Sequence, residues 1–512
     1  MARVTHGSIS FSELNDIGSA TFRRRQKGLM SAENGADPAS PSLETGFTFM
    51  FPNLQSDAHR LPAGAGTIEA LIELAKAMSE ASDDAAGDST IPAHQTYFGQ
   101  FIDHDITRET FILGAIDPEE VASVRIFAEA GPVPDASAIL MNQRTGPLDL
   151  DSVYGGPVHT SNPNMLELGS VTDHQLGRPV GKDDFHDVPR LPPNSNDAAL
   201  DRAARIGDPR NDENLVISQL HLAFLRAHNS FVDDGLDREG ARNALGNLYL
   251  DAVFNDFLAH VCEPSIRRDI MDNGRTFWSP DQITGDIPLE FTLAAYRFGH
   301  SMVRANYEFN VHFSTGGTIQ RAATFRELFT FARLKGTLGG VGNPSVPENW
   351  IIEWDKFTDG EVTRKIDTRL TPEINDRLPG DAGETVRAGM RSLGERNLLK
   401  GYATAMPTGQ AVARAMGLAP LAGVNLLNAV PVELRAAAMP FMDRSPLWFY
   451  ILAEAGDPSG PKGATLGPVG SRIVCETLHA LAEASDFEMP EFSETPNGAL
   501  DKIIARSDGL VP

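Results

Sequence analysis

Apolar side chains recur along most of this chain with a helical period and seldom alternate as they would in a strand. Residues 67–80, TIEALIELAKAMSE, place them at i, i+3, i+4 and i+7 behind Thr67, which predicts an amphipathic helix capped by that hydroxyl. Three later stretches, 215–235, 245–266 and 288–309, sustain the period over several turns. They are apolar on too many faces to lie at a surface, so they are predicted to pack on one another as a central bundle. Further helices are predicted at 383–400, 408–416, 431–439, 446–455 and 468–484, joined by turns rich in Gly and Pro. Residues 140–205 carry many Pro, Gly, Asn and Asp and no strand ladder, and no internal repeat is present. The pattern predicts a mainly α fold: a single large helical domain over 61–485 with little β structure. An arm over 1–60 would lie on its surface, with a basic cluster at Arg23, Arg24, Arg25 and Lys27, and an acidic, solvated extension would follow over 486–512.

Composition narrows the function. With 44 Lys+Arg against 69 Asp+Glu the net charge is −25, which repels phosphate backbones and anionic lipid heads and argues against nucleic acid as a partner. Apolar residues at 41% and charged residues at 22% are enough to build a core. No apolar run reaches the roughly 18 to 20 residues that span a bilayer, so no integral membrane segment is predicted. The start, MARVTHGSISFSELND, lacks the pattern of a secretory signal, and classical export is not predicted. Two cysteines, Cys262 and Cys475, form no CxxC pair and read as buried thiols.

Candidate chemistry is selected partly by elimination. HExxH, GxSxG and GxxxxGK[ST] are absent, and the glycine loop KGTLGGVGN (335–343) lacks the lysine of a phosphate cradle. His221 and His228 share a helix face without a carboxylate at ligand spacing, and read as core histidines. Three segments stand apart because each sets titratable groups in apolar surroundings, where an ion is costly unless compensated. They are Gln100, Asp103, His104 and Asp105 in FGQFIDHDIT, Arg210 and Glu213 in RIGDPRNDEN, and Arg297 and His300 in AYRFGHSMV. On a helix Gln100, Asp103 and His104 share one face while Asp105 points elsewhere, which separates two tasks within one turn.

Taken together, GQFIDHD (99–105), RTGPLDLDSVYG (144–155), GDPRNDEN with QLHLAFLRAHN (207–229), YRFGH (296–300) and RNLLKGYATAMPTGQ (396–410) resemble, in order, the motifs of the animal-type haem peroxidases. These form the peroxidase and cyclooxygenase superfamily, and the likeness is to its bacterial branch. PLWFYILAEA and GPVGSRIVCETL add to it near the C-terminus. The resemblance implies a helical domain holding haem b between central helices. His104 is then the distal base, Arg210 the catalytic arginine, Gln100 the distal glutamine and His300 the proximal ligand of the haem iron. It implies that Asn397 accepts or shares the proximal imidazole's N–H, and that Arg297 and Lys400 lie at the cofactor, Lys400 near a propionate. Asp103 and Glu213 match the carboxylates that form ester bonds to haem methyls. Asn214 stands where strongly chlorinating members carry methionine, so the expected donors are bromide, iodide, thiocyanate or phenols, and chloride is not expected.

Thr145, Pro147, Asp149 and Asp151 place oxygen ligands at alternate positions around a hard cation. The resemblance reads this as a Ca2+ loop completed by Asp105. The superfamily also includes fatty-acid dioxygenases, which use a tyrosine three residues before the proximal histidine; here that residue is Arg297, and Tyr296 points about 100° away on an α-helix. The reading is therefore a haem peroxidase that reduces hydrogen peroxide and oxidises a small donor. A fatty-acid dioxygenase of the same fold, or a haem-free binding or adhesion protein, is the alternative.

Overall fold

Helix accounts for about 52% of the described residues and strand for 9%, the mainly α class that the periodicity predicts. The computed structural model describes residues 45–80, 85–111, 131–132, 136–138, 140–156, 161–170, 186–192, 201–278, 286–332, 345–375 and 392–507. The basic cluster at 23–27, the glycine loop at 335–343 and the first part of the helix predicted at 383–400 lie outside these residues. The longer helices are α1 (Ala65–Ala77), α2 (His94–Ile106), α3 (Leu215–Asp233), α4 (Arg238–Ala252), α5 (Pro264–Asn273), α6 (Leu393–Ala403), α7 (Leu447–Gly456), α8 (Pro468–Glu483) and α9 (Ala499–Ser507). Four short strands, β1 (Thr45–Thr48), β2 (Glu109–Phe111), β3 (Leu140–Asn142) and β4 (Ile287–Pro288), form one sheet in the order β2-β3-β1-β4. β1 runs antiparallel to β3 and parallel to β4.

Aromatic packing sets α2 in the centre. The Phe101 ring stacks on Phe224 of α3 at 4.3 Å, and Phe98 meets Tyr249 and Phe257 edge-on, each at 6.1 Å. Edge-on and offset contacts of this kind add to the burial of large apolar rings. Gly99 makes room for one of them, since a Cβ there would stand 3.0 Å from the Phe257 ring. Phe257 itself closes a π-helical turn, Val253–Phe257, that continues α4. At its far end α2 is tied to the sheet, because Asn142 donates from Nδ2 to the Ile106 carbonyl (2.9 Å) and accepts the Arg108 N–H (2.7 Å).

Several predicted boundaries move, each for a local reason. Thr67 does not cap α1; its Oγ1 donates to the Pro62 carbonyl at 2.7 Å, and the helix starts two residues earlier after Gly64. The stretch 245–266 is not one helix, because Pro264 starts a new helix and drives Glu263 to φ −58°, ψ 126°. The stretch 288–309 breaks as well. Leu289–Thr292 is a single helical turn, and Ala295–Met302 is 3-10 helix. Arg297 Nε donates to the Thr292 carbonyl at 3.0 Å, which is the acceptor an α-helix would offer to the N–H of residue 296.

The two flanks are also more structured than their composition suggests. Residues 45–54 of the expected arm enter the sheet and bury Phe47, Phe49, Met50, Phe51 and Leu54. The expected solvated extension is strapped to the domain, where Arg267 donates to the Ser493 and Glu494 carbonyls and Asn255 accepts the Ser493 N–H. Its last helix, α9, packs on α3 with Leu500, Ile503 and Ile504 buried. The acidic side chains face water while the backbone and every third or fourth apolar residue face the core, a division that mean composition does not reveal. Ile503→Ala should therefore cost about 2–5 kcal/mol, read as a lower midpoint in urea unfolding; an unchanged midpoint would mean that α9 is not part of the cooperative core.

Candidate active site

Between His94 and Thr107 every residue is buried except Gln100 and Asp103, and between Asn211 and Leu225 every residue is buried except Glu213. In the 3-10 segment Arg297, Gly299 and His300 likewise keep partial exposure between buried neighbours. Partial exposure at these positions sets them apart from the buried residues on either side. Charge interactions bring the open positions together. Asp103 feels both Arg210 and Arg297, and Arg210 feels Asp103 and Glu213. Asn214 caps α3 by accepting the Ile217 N–H (3.0 Å), and its Nδ2 donates to Gln100 Oε1 at 3.3 Å.

His104 stands on α2. Burial, and secondly the Arg210 guanidinium, push its pKa down to about 3, so the ring is neutral. Its Nδ1 lies 2.8 Å from Asn211 Oδ1. Arg210 is clamped by Asp208, which accepts from its Nε and Nη2, and Nη2 also donates to the carbonyls of His104 (3.1 Å) and Thr107. Burial would raise the Asp208 carboxyl, but the Arg210 charge and hydrogen bonds overcome it and hold the group ionised, below the ordinary carboxylate range. A fixed cation beside a neutral base is thus built where the turn Pro209–Asp212 meets α2.

His300 stands on the 3-10 segment that packs against α2, and its pKa is also pushed down to about 3, by burial and then by Arg297. In a 3-10 helix residues i and i+3 eclipse, so Arg297 and His300 reach the same partner, Asn397 of α6. Arg297 Nη1 donates to Asn397 Oδ1 at 3.0 Å, and Asn397 Nδ2 faces His300 Nδ1 at 3.0 Å. Here the structure differs from the sequence expectation: Arg297 takes the carbonyl that was expected to accept the imidazole N–H, and the amide presents its nitrogen to the ring. Trp448 of α7 holds the segment from behind, donating from Nε1 to the Arg297 carbonyl at 3.1 Å.

Sequence reasoning missed four residues here. Glu109, just beyond α2, accepts from Arg297 Nη2 at 3.0 Å and pairs with Lys400 Nζ, so both cations expected at the cofactor already share a carboxylate. Burial would raise Glu109, but Lys400 and Arg297 outweigh it and lower its pKa. Asp208, Asn211 and Arg144 are the others. Their signal was present in part, since GDPRNDEN and RTG are quoted motifs and Asp208 clamps Arg210 two residues away, but Asn211 meets His104 and Arg144 meets Asp208 only across long stretches of sequence.

The acidic loop is compact. Ligand atoms of Asp105, Asp149 and Asp151 lie within 4.8 Å of one another. Thr145 Oγ1 donates to Asp149 Oδ2 at 2.9 Å, and the Pro147 carbonyl accepts the Asp149 N–H at 3.0 Å. Asp105 accepts from the Leu150 N–H, the Ser152 N–H and hydroxyl, and the Tyr249 hydroxyl. Gly146 (φ 90°) and Leu150 (φ 59°) curl the loop through left-handed backbone. Burial, then the neighbouring carboxylates of Asp151 and Asp149, raise Asp105 well above its usual range, while burial lifts Asp151 to about 6. Arg144 ion-pairs with Asp151 at 2.6 Å and approaches Asp208 at 3.6 Å, linking this loop to the clamp on Arg210.

Residues 119–343 match the family described as animal haem peroxidase. A peroxidase-like protein of Margaritifera margaritifera is 28% identical over 273 residues, 43% of this chain; the match spans 32% of that protein, about a third of its length. Among solved structures, peroxidase A of Dictyostelium discoideum superposes with a TM-score of 0.56 at 15% identity, covering 94% of each chain. A fatty acid alpha-dioxygenase of Oryza sativa superposes at 0.51 and 13% identity, covering 98% of this chain and 93% of its own. At these identities the two superpositions establish the fold. No helix among the described residues is long and apolar enough to cross a membrane.

Proposed function

We propose, from the match of residues 119–343 to the animal haem peroxidase family, that this chain binds haem b in a cleft between His104 and His300, reduces hydrogen peroxide and oxidises a small donor. The observation that carries this reading is the donor set. Two neutral imidazoles, His104 buried and His300 partly exposed, stand on elements that pack on each other, one beside a clamped guanidinium and the other hydrogen-bonded at Nδ1. Iron binds an imidazole nitrogen that carries no proton, and the outer partner orients the ring; with Asn397 Nδ2 against Nδ1 the proton of a neutral His300 sits on Nε2, so binding iron there calls for the Asn397 amide to turn its carbonyl to Nδ1. The residues present therefore fit the cofactor. His300 would hold the iron, Arg297 and Lys400 would offer cations to its carboxylates, and Asp103 and Glu213 would be the carboxylates for ester links. When bound, the group supplies the redox chemistry that splits peroxide.

The chain's own contribution is proton handling and charge. His104 accepts a proton from the near oxygen of peroxide and returns it to the departing one, so that two electrons from the donor and two protons leave two waters. Arg210 offsets the negative charge that develops as the O–O bond breaks, and Asp208 holds it in place so that no reorganisation is needed. Gln100, anchored by Asn214, lines the same opening and orders a small polar molecule there. Bromide, iodide, thiocyanate and phenols are the proposed donors. For the dioxygenase reading the tyrosine position holds Arg297, which is engaged with Asn397 and Glu109, and Tyr296 stacks on Phe291 at 4.7 Å in the aromatic core. The test is an absorption spectrum of purified protein before and after hydrogen peroxide, with acid extraction to show whether haem stays attached. A Soret band that changes with peroxide and decays with iodide supports the reading. No Soret band after haem is supplied would favour a haem-free binding role, and oxygen uptake with a fatty acid in place of peroxide turnover would favour the dioxygenase.

The Asp105, Asp149 and Asp151 cluster, with Thr145 and Pro147, is proposed to hold Ca2+. A divalent ion would relieve the repulsion that raises these carboxyls, and Asp105 and Arg144 would pass the effect to His104 and Arg210. Chelation should lower stability by about 2–4 kcal/mol relative to calcium at one hundred to one thousand times its Kd, seen as a lower melting temperature with slower peroxide reaction. Asp149→Asn with Asp151→Asn should no longer respond to chelator. Protein that retains no calcium and melts identically in EGTA would remove the assignment.

A further inference from the structure

Behind His104 runs a second contact that the peroxidase motifs do not explain. Asn211 Oδ1 lies 2.8 Å from His104 Nδ1, and the other end of the same amide, Nδ2, lies 3.0 Å from His221 Nδ1. All three side chains are buried: His104 is 5% exposed, and Asn211 and His221 are fully enclosed. Both rings are driven neutral by burial. A neutral imidazole has one donor and one acceptor nitrogen, and an amide has a donor end and an acceptor end. The arrangement therefore has a single consistent reading: the carbonyl of Asn211 takes the Nδ1–H of His104, and its NH2 gives to the bare Nδ1 of His221, whose proton sits on Nε2. That Nε2 is buried without a hydrogen-bond partner, and its ring lies 6.2 Å from Phe101, so the third member is held by packing and by the amide alone.

We infer that Asn211 is a positioning residue for the proposed peroxidase reaction: held in one orientation by His221, it keeps His104 in the Nδ1–H tautomer and so leaves Nε2 as a bare lone pair toward the cleft. Turning the amide over would place a donor against His104, move the ring proton to Nε2 and replace the base by a donor. Turning it would also require His221 to present Nδ1–H to the carbonyl in place of a bare Nδ1, so the tautomers of the two rings are tied through one amide. Asn211 sits on a 3-10 turn, Pro209–Asp212, directly after Arg210, so one short segment aims both the guanidinium and the tautomer lock. The role previously read as a passive core histidine at 221 becomes that of the residue that orients the amide.

The inference rests on the peroxidase reading, and the experiment separates the two. In 15N-histidine-labelled full-length protein before haem is added, two-bond proton–nitrogen spectra report the His104 tautomer. Wild type and Asn211→Asp, which keeps an oxygen acceptor, should show Nδ1–H; Asn211→Leu should show Nε2–H or a mixture. In the haem-loaded ferric proteins the rate of hydrogen cyanide binding, which needs a distal base but no turnover, should fall about tenfold or more in Asn211→Leu and recover in large part in Asn211→Asp. The ferrous carbon monoxide form should gain a second C–O stretching band in Asn211→Leu and in His221→Phe, from a disordered His104. Should Asn211→Leu fail to fold, Asn211→Ser and His221→Phe carry the same measurements. A wild-type tautomer and cyanide rate in the Leu and Phe variants, or in the Ser and Phe variants, would overturn the inference. Wild-type protein that takes up no haem would overturn the peroxidase reading while the tautomer spectra still decide the role of Asn211.

Discussion

His300→Gly should shift the Soret band of the haem-loaded protein from its wild-type position, lower peroxidase turnover by a factor on the order of 10³ or more, and recover in both respects when imidazole is added. The expectation follows from the isolation of that ring. His300 is neutral, borders the cleft, and is oriented at Nδ1 by Asn397, which Arg297 in turn holds. Removing the side chain leaves a gap of imidazole size in a rigid 3-10 turn that Trp448 secures from behind, so free imidazole can enter it. Rescue distinguishes loss of a ligand from loss of the fold. A variant that keeps a normal Soret band would mean that iron is bound elsewhere, and the assignment of the proximal side would fall with it.

The second large effect concerns the other imidazole. His104→Ala should leave the Soret band in place but slow the bimolecular reaction with hydrogen peroxide by about 10²–10⁴, the usual worth of a positioned general acid–base. Stopped-flow absorbance on a fixed amount of haem-loaded enzyme measures it. Arg210 keeps its Asp208 clamp and its bond to the Thr107 carbonyl in that variant, so charge stabilisation persists and the loss reports proton transfer alone. A rate within about threefold of wild type would exclude His104 as the base; the expected loss is far larger.

Much of this site was legible in advance because its parts are local. Gln100, Asp103 and His104 lie on one helix and Asp105 faces away from them, as the i, i+3, i+4 spacing requires. Asp105, Asp149 and Asp151 do come together. The haem peroxidase resemblance agrees with the family match over 119–343. The errors are equally local in origin. The 288–309 stretch has helical periodicity, yet the Arg297 side chain intercepts a backbone carbonyl and turns the segment into 3-10 helix, which is what lets Arg297 and His300 share Asn397. The tail after 485 has acidic composition, yet its backbone is held by Arg267 and its apolar residues by α3.

The sequence by itself determined the helical class, the order of the motifs and which residue types stand within one turn of each other, because backbone periodicity and i, i+3, i+4 neighbours depend only on short-range geometry. The tertiary structure alone decided the pairings: Asn211 between His104 and His221, Glu109 beneath Arg297 and Lys400, and the Asn397 amide turned toward Arg297. Each joins side chains from segments that meet only after the chain has closed, and which end of an amide or which nitrogen of a ring faces its partner is set by that closure. A buried donor or acceptor left alone is costly, so it is the packed interior that selects one arrangement among those the residue types allow.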